Sequence, residues 1–84
     1  MRVLADIPHP EFKIQIFSLN GKFIVKIEAG IYEQAFRINE EIVGGDIEKL
    51  KSIITDDFIK NCRPRFLSMR EDLGKALENL KIHN

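Results

Sequence analysis

Apolar residues recur at every second position through Phe12, Ile14 and Ile16 and again through Phe23, Val25 and Ile27, the two runs lying on either side of Asn20-Gly21, while Phe17 and Ile24 are apolar in the otherwise polar phase. A period of two belongs to a strand with one buried face, and Asn-Gly between two such runs signals a type I′ hairpin, whose central residues both need positive φ. Counting outward from that turn pairs Ser18 with Phe23, Ile16 with Val25, Ile14 with Ile27 and Phe12 with Ala29 on one almost wholly apolar face. The other face pairs Lys13 with Glu28 and Gln15 with Lys26. A slip of one residue would set Phe12, Ile14 and Ile16 against Lys26 and Glu28, so pattern and turn chemistry agree on one register. The predicted strands cover 11–19 and 22–29.

The same period returns over 31–38, with Gly30 supplying a tight turn, and predicts a third antiparallel strand. Two loops fit. Gly30-Ile31 would match Val25 with Phe36 and Phe23 with Ile38, whereas Ala29-Gly30 would match Lys26 with Glu33. In both, Tyr32, Gln34, Phe36 and Ile38 share the side of Phe23, Val25 and Ile27. Residues 1–10 end in Pro8-His9-Pro10, which excludes helix there and predicts an extended N-terminal arm leading into the first strand.

After Ile38 the spacing changes. Asn39-Glu40-Glu41 and Gly44-Gly45 punctuate a connector, and Asp46 is suited to cap a short helix over 46–54 with Ile47, Leu50 and Ile54 on one face. Thr55-Asp56-Asp57 opens a second helix, predicted over 56–81, with a capping hydroxyl and two acids where the dipole favours negative charge. Ile59, Cys62, Phe66, Met69, Leu73, Ala76 and Leu80 recur at alternating spacings of three and four, and the stripe passes Pro64 without losing phase. One helix kinked near Pro64 is expected, although proline in a helix interior costs about 3 kcal/mol and a full break is the alternative. The predicted fold is a single α+β domain over 1–84, a three-stranded meander with one face roofed by two helices.

Length brings a further consequence. A helix over 56–81 is about 39 Å long at 1.5 Å per residue, against about 26 Å for an eight-residue strand. An overhanging end would leave Leu73, Ala76, Leu77 and Leu80 in water unless a second chain covers them, which predicts a homodimer.

Thirteen basic and thirteen acidic residues leave no net charge, so no overall field draws the chain to nucleic acid or to an anionic membrane. A single cysteine, Cys62, excludes an internal disulfide and fits a reducing compartment. The first residues lack a long apolar signal region and no apolar run could span a bilayer, so a cytoplasmic protein without membrane contact is expected.

Chemistry-bearing residues are sparse. His9 and His83 have no partners that the sequence brings to them, and a surface role is expected for His9. Cys62 lies on the apolar stripe with Lys60, Arg63 and Arg65 nearby but no base, and is expected to be a buried small hydrophobe. The acidic pairs Glu40-Glu41, Asp56-Asp57 and Glu71-Asp72 diverge by about 100° in a helix and do not converge on one atom. Gly44-Gly45 lacks the flanking residues of a phosphate cradle. No catalytic, cofactor or metal site is expected.

Two surfaces remain. The outer sheet face carries Lys13, Lys22, Lys26 and Arg37 around an expected exposed pair, Phe17 and Ile24. The helix carries Arg63 and Arg65 beside Pro64, with Lys60 and Arg70 near them. The leading expectation is a non-enzymatic protein-interaction or self-association module, using Phe17, Ile24, Lys13 and Lys26, or the helix residues Leu73, Leu77 and Leu80, or an open strand edge. The alternative is nucleic-acid binding through Lys13, Lys22, Lys26, Arg37, Arg63 and Arg65, with bases stacking on Phe17.

Overall fold

The computed structural model describes residues 1–81. Its elements are β1 (Arg2–Ile7), β2 (Lys13–Leu19), β3 (Lys22–Ala29), β4 (Tyr32–Asn39), a 3-10 turn (Glu40–Val43), α1 (Ile47–Ile53) and α2 (Asp56–Lys81). The strands form one antiparallel sheet in the order β1-β2-β3-β4, and both helices lie on one face of it.

The hairpin forms where the pattern places it. Asn20 (φ 50°) and Gly21 (φ 76°) both occupy the left-handed region, and β2 pairs with β3 in the register counted from that turn, Ile14 opposite Ile27 and Ile16 opposite Val25. Between β3 and β4, Ala29 faces Tyr32, so Gly30 and Ile31 are the loop. That choice sets Val25 against Phe36 and Phe23 against Ile38, which aligns the apolar rows of three strands. It also sets Glu28 against Glu33, a like-charge pair that Lys26 relieves diagonally with Nζ 4.0 Å from the Glu33 carboxylate.

The sheet has four strands rather than three. Residues 2–7 are not an unpaired arm but an edge strand, with Val3 opposite Phe17, Ala5 opposite Ile16 and Ile7 opposite Ile14. A bulge between Val3 and Ala5 shifts the phase, so the period of two survives for only a few residues and the strand is inconspicuous in the sequence. The turn from β1 into β2 is held by His9. Its Nδ1 accepts from the backbone N–H of Glu11 (3.1 Å) and of Phe12 (3.3 Å), and its ring stacks on Phe12 with centroids 5.3 Å apart.

The core is the inner face of the sheet, where Ile14, Ile16, Phe23, Val25 and Ile27 are buried beneath Leu50 of α1 and Ile59, Cys62 and Phe66 of α2. Phe66 meets Phe12, and Phe58 meets Phe36 edge-on, each pair with centroids just over 5 Å apart. Caps begin both helices. The Asp46 carboxylate accepts from the Glu48 N–H at 2.9 Å, and the Thr55 hydroxyl accepts from the Phe58 N–H at 3.1 Å. Pro64 neither ends nor divides α2, which runs unbroken from Asp56 to Lys81. Pro64 removes the N–H that the Lys60 carbonyl would accept from, and both residues lie on the exposed side of the helix, where that carbonyl is not sealed in the core.

Substitutions at two glycines are expected to act with opposite signs. Gly21→Ala places a side chain at a φ that L residues rarely adopt and is expected to lower stability by about 1 kcal/mol or more. Gly74→Ala, in open space within α2, is expected to raise helix stability by up to about 1 kcal/mol. Urea unfolding followed by circular dichroism reads both.

Candidate interaction surface on the second half of α2

The roof reaches past the floor. Ile59, Cys62 and Phe66 are buried and Met69 is half-buried, all packed on the sheet. From Arg70 through Leu80 every residue is exposed. Leu73, Leu77 and Leu80 retain 38%, 47% and 66% of their accessible surface, although they continue the same stripe that the sheet covers lower on the helix. The overhang makes the molecule 53 Å long, against 27 Å and 18 Å in the other directions.

At the base of the overhang lies an apolar groove between α2 and the β3–β4 turn, lined by Phe12, Ile31, Tyr32, Phe66, Leu67 and Arg70. Ile31, at the tip of the turn, is 80% exposed, and Leu67 is also exposed. Arg63 borders the groove and is paired with Glu11. Leu67 and Ile31 were not singled out by periodicity, because one is off the apolar stripe and the other is a loop residue. Only their shared position beside the groove connects them to Leu73, Leu77 and Leu80.

The outer sheet face is more self-contained than the sequence suggests. Ile24 is buried rather than exposed, at 4%, and Phe17 is half-buried. The added strand brings Val3 against Phe17, and Ile24 is flanked by Arg37 across the sheet and by Lys22 two residues along its own strand. Lys26 holds its ammonium 4.9 Å from the centre of the Phe17 ring while it also reaches Glu33. Lys13 is exposed opposite Glu28. The two basic groups do not merge: Lys13, Lys22, Lys26 and Arg37 lie on the outer face, whereas Arg63 and Arg65 lie on the helix that covers the inner one.

Cys62 is fully buried. Its thiol donates to the Phe58 carbonyl, with Arg65 Nη1 3.9 Å from Sγ. Burial pushes the thiol above its ordinary value of 9.0, against the opposing pull of Arg65. Gln34, the polar member of the inner row of β4, donates to the Cys62 carbonyl at 2.9 Å, so its amide is satisfied against the helix backbone. His9 serves the turn between β1 and β2, and His83 lies outside the described residues. Among the described residues, no three His, Cys, Asp or Glu side chains converge as metal ligands, and no helix is long and apolar enough to cross a membrane.

Comparison with protein-family models, curated proteins and solved structures finds no match to this chain.

The Cys62 environment has a measurable consequence. Alkylation of the native protein at neutral pH is expected to be slow and to become rapid on unfolding in urea, as timed by mass spectrometry. Because the unfolded chain releases the thiol proton near 9.0 and the folded chain holds it to higher pH, this group leaves stability unchanged below that value and lowers it as pH rises above. Cys62→Ala is expected to remove that part of the alkaline decline in a series of urea midpoints against pH.

Proposed function

We propose that this chain is a non-enzymatic protein-interaction module that self-associates through the second half of α2. The observation that carries the reading is the row Leu73, Leu77 and Leu80, which continues the core stripe into solvent on a helix longer than the sheet beneath it. An apolar stripe of this kind is kept in register by nothing within the described chain, and a covering surface is the usual physical reason for one.

The sheet edges are weaker contact sites. A bulge interrupts β1, which is followed by Pro8, and β4 alternates its half-buried side chains with exposed Glu33, Arg37 and Asn39. Bulges, prolines and charges at an edge are the features that discourage strand addition. On the outer face, the ammonium of Lys26 already occupies the Phe17 ring, which leaves base stacking there with less to offer.

Magnitudes set the strength of the association. Complete burial of a leucine is worth about 1.5–3 kcal/mol, so six half-exposed leucines in a dimer yield roughly 5–9 kcal/mol. Loss of free motion on association costs about 4–15 kcal/mol. The balance favours a weak dimer that depends on concentration over a permanent one.

Sedimentation velocity from low to high micromolar concentration is expected to show a monomer–dimer equilibrium. Leu73→Ser with Leu77→Ser should hold the chain monomeric while leaving its sheet signal in circular dichroism unchanged. A wild-type chain that stays monomeric throughout that range would overturn the reading.

A further inference from the structure

We infer that the partner of the overhang is a second copy of this chain, and that the two α2 extensions pack antiparallel about a two-fold axis near residue 75. The inference rests on the self-association proposed above and adds its direction and register. Direction follows from which face of the helix is open. The stripe that offers Leu73, Leu77 and Leu80 is the same stripe that holds Ile59, Cys62 and Phe66 against the sheet, so a partner helix on it lies in the layer that the sheet occupies. A parallel partner would bring its own sheet into the space already filled by the first. An antiparallel partner carries its sheet to the far end of the pair.

Register follows from the positions of the exposed side chains. In an antiparallel pair centred near residue 75, residues whose numbers sum to about 150 lie at one level. Leu73 of one copy then meets Leu77 of the other, and the four leucines form a single cluster around the axis. Leu80 arrives level with Met69 and Arg70 of its partner, at the mouth of the groove lined by Phe12, Ile31, Tyr32, Phe66 and Leu67. The apolar surface of the overhang and that of the groove are thereby covered by one docking event. The overlap of residues 70–80 is about 16 Å of helix, the part of α2 in which every residue is exposed.

Charge agrees with this register. At about 100° per residue, Arg70 and Glu78 fall on the same side of the leucine row. A two-fold axis of this kind brings like sides together, so Arg70 of each copy is level to within two residues with Glu78 of the other. Both are exposed. Within one chain they are eight residues apart, about 12 Å along the axis, so their coupling reports on the pair.

Charge reversal at these positions is the test. Sedimentation equilibrium at low ionic strength is compared for the wild type, Arg70→Glu, Glu78→Arg and the variant carrying both. Each single change is expected to weaken the dimer by roughly tenfold, since two ion pairs per dimer become repulsive, and the combined change is expected to restore most of the loss. A wild-type chain that does not dimerise overturns the self-association itself. A dimer that forms but is indifferent to the single changes, or is not restored by the combined one, overturns the antiparallel register and leaves self-association standing.

Discussion

One face of a four-stranded sheet must be kept from water, and the rest of the molecule is arranged by that requirement. Ile14, Ile16, Phe23, Val25 and Ile27 form the floor, and the chain supplies Leu50 from α1 and Ile59, Cys62 and Phe66 from α2 as its roof. The apolar face of a sheet has to be buried against another layer, and these residues supply it. Both capping groups, the turn glycines and the tolerated proline serve the delivery of those roof residues to the floor. Where polar groups enter this layer they are matched: Gln34 bonds the Cys62 carbonyl, and the described residues hold no buried side-chain nitrogen or oxygen without a partner.

The same requirement explains why the two faces of the sheet differ. The inner face is sealed by helices and the outer face by its own side chains, with Ile24 buried among longer neighbours and Phe17 beneath the Lys26 ammonium. Such local sealing is less costly than a second layer, because lysine and arginine stems cover apolar surface while their charges stay in water. The helix overhang has neither kind of cover, and Leu73, Leu77 and Leu80 remain in contact with water.

Length links the packing to the proposed self-association. α2 has twenty-six residues and the strands no more than eight, so a helix laid on this sheet must run off it. Its amphipathic period does not stop where the sheet does, and a surface suited to burial is carried beyond the domain's own means of burying it. The groove beside Ile31 and Tyr32 sits at the point of departure, lined on the helix side by Phe66, Leu67 and Arg70.

Local rules read along the chain determined the Asn20-Gly21 hairpin and its register, the caps at Asp46 and Thr55, the bounds of α2 and its excess length, because each depends on neighbours within a turn or across one hairpin. Tertiary structure decided the rest. The choice of Gly30-Ile31 as the loop needed the apolar rows of three strands aligned together, and β1 needed a bulge that erases its period from the sequence. Ile24 was legible as an outer-face residue but not as a buried one, since two of its neighbours, Phe17 and Arg37, come from other strands. The leucines of the overhang were visible as a stripe; that nothing in the described chain covers them, while Ile31 and Leu67 extend the same surface, is a fact of three-dimensional placement, because burial is a property of what lies across a gap and not of spacing along a chain.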